Sequence, residues 1–362
     1  MKLFLRCLMC CVVLANTAAT QSSRPASPAY GQAKGITDVP GISVGHFTLS
    51  GGLTGCTVIL ADGNGAVPGL AQRGGAPGTR ETALLDPANA VERIHAIVFS
   101  GGSSFGLDAA QGVMRYLEER GIGVRFGGHV IPLVPAAIIF DLPFVNDPKV
   151  RPTADCGYRA AGAATADRVR EGNVGAGAGA TVGKMGGAGR TAMKGGVGSA
   201  SIRMADGLVV GAIVVVNAVG DVIDPATGRV VAGTRNADGT LADARTLIRS
   251  GATIAGPTPG QNTTIGVVAT NARLTKAQMQ RVALMADDGL ARAIYPAHTM
   301  SDGDTMFSLS TGQWEGTPNL SRIGALAAEV VAEAIVRAVA MADSLNGVAS
   351  AQQIGTVPAR MK

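Results

Sequence analysis

The first hydroxyl in this chain that is placed to do chemistry belongs to Thr263. It follows the run Pro257-Thr258-Pro259-Gly260-Gln261-Asn262 and opens Thr263-Thr264-Ile265-Gly266-Val267-Val268-Ala269-Thr270. Pro and Gly punctuate a segment that cannot pair into a sheet. A stretch of four to eight residues rich in Val and Ile reads instead as a buried strand. One hydroxyl therefore sits where loop becomes rigid core. Thr is a weak nucleophile unless a base stands beside it. A cut between Asn262 and Thr263 creates such a base in place, an α-amine with a pKa of about 8. The same residues also fit a strand that simply begins with Thr.

A second hydroxyl competes with it. Gly102-Ser103-Ser104-Phe105-Gly106 matches G-x-S-x-G between the strand His95-Ala96-Ile97-Val98-Phe99 and a helix expected to run to about residue 120. An elbow serine at Ser104 needs a later acid and then a His, and only His129 and His298 follow. The alternative is a Gly-rich strand-to-helix turn with Ser103 or Ser104 as N-cap. A third possibility is a periplasmic small-ligand-binding protein without chemistry, its pocket lined by glycines.

Three further groups have suitable chemistry. Gly175-Ala176-Gly177-Ala178-Gly179-Ala180-Thr181-Val182-Gly183-Lys184-Met185 invites a P-loop reading, but the spacing fails. Ala178 stands five before Gly183, and Met185 occupies the Mg²⁺-binding Ser/Thr position. What is left is a Gly-rich pocket wall with one lysine, Lys184, or a plain turn. Asn217 ends the apolar run 208–216, where its amide either donates to a ligand oxygen or caps a turn. Asp302 and Asp304 form a carboxylate pair at a loop-to-strand junction, able to orient a nucleophile, hold a hard cation or make a solvated turn. In a strand-like segment the two would share one face. No HExxH, CxxC or EF-hand spacing occurs, so neither a metal nor another cofactor is expected.

The elements that must position these residues alternate between strand and helix. Apolar runs fall at 56–60, 95–99, 131–142, 199–204, 208–216, 263–270 and 305–311. Helices are expected at about 107–120, 153–170, 242–248 and 321–345, and another starts after the central strand with Thr275 and Gln278 as a capping box. Asp206-Gly207 reads as a two-residue hairpin turn. Gly supplies 51 of the 362 residues, about twice the usual share of roughly 7%. With 46% hydrophobic residues and no G-X-Y period, the chain is a compact fold with many tight turns.

The first 20 residues have the order of an export signal: Lys2 and Arg6, an apolar run from Cys7 to Ala15, then Thr17-Ala18-Ala19. This predicts a periplasmic or secreted protein whose mature end, 21–34, is polar and unpacked. No later stretch is long and apolar enough to span a membrane as a helix. The formal charge of +5 falls to about +3 without Lys2 and Arg6, and no basic cluster stands out, which argues against nucleic-acid binding. Three of the five cysteines lie in the signal. Cys56 and Cys156 remain, either paired or simply small buried residues.

Taken together, these pieces resemble one known family. Asn262-Thr263-Thr264-Ile265, Val268-Ala269-Thr270-Asn271-Ala272, His298-Thr299 and Asp302-Gly303-Asp304-Thr305-Met306-Phe307 are similar to motifs of the L-aminopeptidase D-amidase/D-esterase family, which includes β-peptidyl aminopeptidases and nylon-oligomer hydrolases. The opening Val39-Pro40-Gly41-Ile42-Ser43-Val44-Gly45, the Gly/Ser turn at 100–107, the Lys184 segment and Val216-Asn217-Ala218-Val219-Gly220 resemble it as well. The likeness spans 36–345, in order.

The resemblance implies a single hydrolase domain with a four-layer α/β/β/α sandwich of the N-terminal-nucleophile (Ntn) type. It implies a precursor that cuts itself into an α chain (about 20–262) and a β chain (263–362), and a homo-oligomer of αβ units. By the same token Thr263 is the nucleophile and its amine the base. Asp302 and Asp304 orient it, Asn217 is the oxyanion donor, Lys184 is the pocket lysine, and Ser104 is left a structural or pocket role. Phe140, in the substrate-binding region, stands where several characterised relatives have Tyr, so a hydroxyl that helps hold substrate is missing. The implied substrate is a small peptide or peptide-like amide, with ester hydrolysis also accessible.

Overall fold

The strand Val209–Asn217 is buried along its whole length, and its alternation sorts the molecule into layers. Val210, Ala212, Val214 and Val216 face two long helices, whereas Val209, Ile213 and Val215 face a second sheet. A strand covered on both faces must read as a continuous apolar run, which is why it shows no polar alternation in the sequence. The computed structural model describes residues 34–51, 53–145, 147, 149–186, 189–252 and 261–361. The export signal, most of the polar segment after it and the Pro257-to-Gly260 linker lie outside the described residues.

The sheet that holds this strand has the order Gly196–Arg203, Val209–Asn217, Thr263–Thr270, Thr305–Ser310, Val67–Gln72. Thr263–Thr270 and Thr305–Ser310 run parallel, with the helix Lys276–Ala293 between them in sequence. The other sheet has the order Ile42–Thr48, Gly55–Ala61, Ala96–Ser100, Ala136–Ile138, Thr79–Arg80.

Three apolar clusters hold the layers together. Val113, Leu117 and Ala160 of the helices Ala109–Glu118 and Ala154–Gly162 pack on Val58 and Val98. Between the sheets, Ile59, Ile97 and Phe99 meet Ile265, Val267 and Phe307, with the Phe99 and Phe307 rings 6.3 Å apart. On the far side, Val282, Ala286 and Leu290 of Lys276–Ala293 and Val331 and Ile335 of Leu320–Ala340 cover Val214 and Val268. Each Val, Leu, Ile or Phe side chain among them contributes about 1.5–3 kcal/mol on burial. The result is the four-layer α/β/β/α sandwich expected.

Local signals worked where they were local. Thr275 and Gln278 form the capping box, and the short helix near 242–248 is Ala244–Arg249. Four expectations need correction. The helix from 153 stops at Gly162, because Thr165 pairs with Val44 instead, through two bonds of 2.9 and 3.1 Å. The last helix stops at Ala340, and the chain then turns through Leu345 and Val348. The hairpin at Asp206 is a three-residue loop: Gly207 N–H donates to Met204 O at 3.0 Å and Gly207 takes φ +85°, the left-handed residue that such loops need. Neither Ser103 nor Ser104 caps a helix; Gly102 precedes a 3₁₀ segment, Ser103–Asp108.

Cys56 and Cys156 form a disulfide that ties a sheet strand to its covering helix, with Cα atoms 6.0 Å apart. Among the described residues no helix is long and apolar enough to cross a membrane.

Candidate active site

Strand register places the first two candidates. Asn217 and Thr263 are direct partners in the antiparallel pairing of Val209–Asn217 with Thr263–Thr270. Counting forward by twos from Ile213 and Val215, and back from Ile265, puts both side chains on the face between the sheets. Directly opposed residues on one face have Cβ atoms about 4.5–5.5 Å apart. Both are buried, Asn217 at 0% and Thr263 at 1% exposure.

The Asn262 carbonyl is the focus of the hydroxyl. Thr263 Oγ1 donates to Asn262 O at 2.5 Å, and the Gly303 N–H donates to the same oxygen at 2.7 Å. Asn262 also forms a parallel bridge with Asp302, in register with the strands that follow.

Lys184 arrives from the Gly-rich segment. Its N–H donates to Val219 O at 2.8 Å, while Gly183 N–H donates to Gly220 O at 3.0 Å. Gly183 has φ +71°, and a Cβ there would lie 2.0 Å from the Gly233 carbonyl carbon, so no other residue fits. The lysine Nζ then reaches Asn217 Oδ1 at 2.8 Å, Asn217 O at 3.0 Å and Gln261 O at 3.5 Å. Burial pushes its pKa down to about 7, although Asp302 and Asp141 pull the other way.

Asn217 Oδ1 also accepts from Thr181 N–H at 3.0 Å, which aims Nδ2 at Phe140 O (3.2 Å) and Gln261 O (3.5 Å). Phe140 thus enters the site through its main-chain carbonyl.

Asp302 and Asp304 precede the strand Thr305–Ser310, so strand alternation does not govern them, and they serve different partners. Asp304 Oδ1 accepts from Thr264 N–H at 2.7 Å and Oδ2 from His298 N–H at 3.0 Å. Asp302 Oδ2 accepts from Thr299 N–H at 2.8 Å and Thr299 Oγ1 at 2.7 Å. Among the described residues neither carboxylate bonds to Thr263 itself. Burial, then the neighbouring Asp304, pushes Asp302 up to about 6. The acids are clamped by the chain at 73–76. Gly74 passes so close that a Cβ would lie 2.3 Å from Asp304 N, and Ala76 N–H donates to Asp302 O at 2.8 Å.

Sequence reasoning missed three contributors. The Gly303 amide carries no side-chain signal. His298 stands in the sequence as part of a motif and as a possible partner for an elbow serine, yet its ring lies 3.1 Å from Asp304. Asp287 sits fully buried on the helix Lys276–Ala293, behind His298. Its signal was available: an acid on the same stripe as Ala283, Ala286 and Leu290, where the period calls for an apolar residue. Ser104, by contrast, is exposed, and among the described residues no His or acid bonds to it.

Comparison with known proteins places this geometry among relatives. Residues 34–353 match the model of Peptidase family S58. The chain is 45% identical over 342 residues to an uncharacterised aminopeptidase of Mycobacterium leprae, covering 86% of this chain and 92% of the relative. It is 33% identical over 322 residues to a 6-aminohexanoate-oligomer endohydrolase of Agromyces sp., covering 83% and 84%. Its fold is similar to the L-aminopeptidase D-Ala-esterase/amidase of Ochrobactrum anthropi, described as a variant of the Ntn-hydrolase fold. There the TM-score is 0.67 at 20% identity, over 90% of this chain and 95% of that one.

Proposed function

The chain belongs to Peptidase family S58 and is a hydrolase of the peptidase/amidase kind, and from that premise we propose that Thr263 is its nucleophile, exposed by a cut between Asn262 and Thr263. The observation that carries this reading is the pair of donors on the Asn262 carbonyl, Thr263 Oγ1 at 2.5 Å and Gly303 N–H at 2.7 Å. In maturation the hydroxyl oxygen attacks the Asn262 carbonyl carbon, and the Gly303 amide receives the charge that develops on oxygen. The bond from that carbon to the Thr263 nitrogen breaks, the nitrogen takes the proton, and an ester joins Asn262 to Thr263 Oγ1. Water then hydrolyses the ester, leaving an Asn262 carboxylate and a free Thr263 amine and hydroxyl.

The cut also frees the site. Gln261 O faces both Lys184 Nζ and Asn217 Nδ2. When the Gln261-Asn262 end withdraws, those donors face a vacated acyl site. In turnover the Thr263 amine takes the hydroxyl proton as oxygen attacks the substrate carbonyl, then delivers it to the departing amine. Asn217 Nδ2 and Lys184 offer donors to the oxyanion, the kind of fixed stabilisation that is usually the largest catalytic term. Water releases the acid from the Thr263 ester. The substrate class is a small peptide or peptide-like amide, with esters as an easier variant. A protonated amine cannot act as base, so activity rises as it titrates, near pH 8 for an unperturbed amine.

The reading extends to export of the protein and to assembly of αβ units, on the strength of the first 20 residues and of the family resemblance. Intact mass and N-terminal sequencing of purified protein test the core of it. The small fragment is expected to begin Thr-Thr-Ile-Gly and the large one between Ala18 and Ser23. Thr263→Ala is expected to stay full-length, folded and inactive. An uncut Thr263→Ala protein that still hydrolyses amides would remove Thr263 from the reaction.

A further inference from the structure

A row of alternating charges leads from the acid pair to the surface. His298 Nδ1 lies 3.1 Å from Asp304 Oδ2, and His298 Nε2 lies 3.4 Å from Asp287 Oδ2. Arg73 Nε lies 3.2 Å from that same Asp287 oxygen, and Arg73 Nη1 lies 3.5 Å from Asp288, which is open to solvent. Among the described residues the charged groups facing the ring are therefore three. Asp304 comes from its own loop, Asp287 from the helix Lys276–Ala293, and Arg73 from the end of Val67–Gln72.

The backbone supports the same arrangement. His298 has φ +57°, a left-handed conformation that few side chains adopt and that His tolerates better than most. That conformation brings its amide to Asp304 Oδ2 at 3.0 Å, and the ring nitrogen Nδ1 lies within ion-pair distance of the same oxygen. The other oxygen of Asp304 holds the Thr264 amide at 2.7 Å, one residue from Thr263. Anything that moves Asp304 moves the start of the nucleophile's strand.

Neither ring nitrogen of His298 and neither side-chain oxygen of Asp287 has an aligned hydrogen-bond partner among the described residues, so the ring acts here through its charge: a neutral imidazole leaves two flanking carboxylates without a countercharge, and a protonated ring stands between both. Asp287 and Asp304 are almost completely buried, at 0% and 2% exposure. A charge left unpaired at such depth is heavily penalised. Burial by itself lowers the His298 pKa, but Asp304 and Asp287 outweigh it and hold the ring above its usual value. Burial pushes Asp287 up to about 6, with His298 and Arg73 pulling it back.

Resting on the reading of Thr263 as nucleophile, we propose that His298 is a positioning residue whose doubly protonated ring, braced by Asp287 and Arg73, holds Asp304 against the Thr263–Thr264 strand start, so that turnover requires the imidazolium. Loss of the ring proton at higher pH slackens Asp304, and kcat falls. Because activity then needs both a free Thr263 amine and a protonated ring, the profile is bell-shaped, and one of its limbs follows the His298 ring titration.

The experiment uses cleaved protein, checked by intact mass, and a panel of amino-acyl p-nitroanilides, with the His298 ring titration read independently by NMR. With only four histidines in the chain, the resonance is assigned by its loss in His298→Gln. His298→Gln is expected to lower kcat at least about tenfold, as for a misplacement of a few tenths of an ångström, with KM within about twofold of wild type and the limb that follows the ring titration gone. Asp287→Asn removes one anion from the ring. It is expected to move the ring titration and the limb that follows it to lower pH by the same amount, and it decides the matter if His298→Gln fails to mature. Wild-type kcat and an unchanged limb in cleaved His298→Gln overturn the proposal and leave Thr263 as nucleophile untouched. A ring titration that moves in Asp287→Asn while the limb stays does the same. Wild-type protein that is active without a cut at Thr263 overturns both.

Discussion

Replacing Asn217 by Asp tests the oxyanion role with the smallest possible change. The variant keeps an Oδ1 acceptor for Lys184 Nζ and Thr181 N–H, now 2.8 and 3.0 Å away. It exchanges the donor Nδ2, which points at Phe140 O and Gln261 O, for an anionic oxygen. Loss of one preorganised oxyanion donor is expected to reduce kcat by about 10²–10³, roughly 2.7–4 kcal/mol of transition-state stabilisation. Folding stability should change far less. The new carboxylate is repelled by two carbonyl oxygens but gains a charge-assisted bond to Lys184, worth about 1.5–3 kcal/mol, so the two effects oppose each other. The same anion raises the Lys184 pKa from about 7, since an opposite charge favours the ammonium. The assay is steady-state hydrolysis of a small amide by protein confirmed as cut, beside a urea melt of the same preparation. A cleaved, folded Asn217→Asp protein that turns over within about threefold of wild type would refute Asn217 as the donor.

Two further outcomes are expected. Ser104→Ala should mature and turn over within about twofold of wild type, because the hydroxyl is exposed and, among the described residues, has no His or acid bonded to it; a cleaved but inactive Ser104→Ala would restore the elbow reading. Reduction of Cys56–Cys156, or Cys156→Ala, should lower stability by about 2–4 kcal/mol, the typical range for a native disulfide. Because the disulfide joins a sheet to its outer helix, on the side away from Asn217 and Thr263, amide hydrolysis at 25 °C should hold within about twofold. Identical urea midpoints with and without reductant would show that the thiols are unpaired.

Much of the molecule was legible because its signals are local. A run such as Thr263 to Thr270 announces a buried strand through its own Val and Ile, and Thr275 with Gln278 announces a helix start through bonds three residues apart. Where the reading overshot, a distant partner had taken the backbone. The helix Ala154–Gly162 ends early because Thr165 is claimed by Val44. The two-residue turn at Asp206 became a three-residue loop because the register of Arg203 with Val209 demands it.

The site divides along the same line. By itself the sequence determined which chemical groups exist and where along the chain they fall: a Thr hydroxyl at a strand start, an Asn at a strand end, a lysine among glycines, two acids before a strand. Those properties follow from residue type and from periods of two and 3.6, which need only near neighbours. Tertiary structure alone decided that Asn217 lies opposite Thr263, that Lys184 reaches Asn217 across a Gly-rich crossing, and that Asp304 holds Thr264 while Asp302 turns to Thr299. It alone put Asp287 behind His298 and joined Cys56 to Cys156. Each of these contacts depends on the register of strands and the packing of layers, set by the summed burial of apolar faces far apart in the chain, and no local pattern encodes that sum.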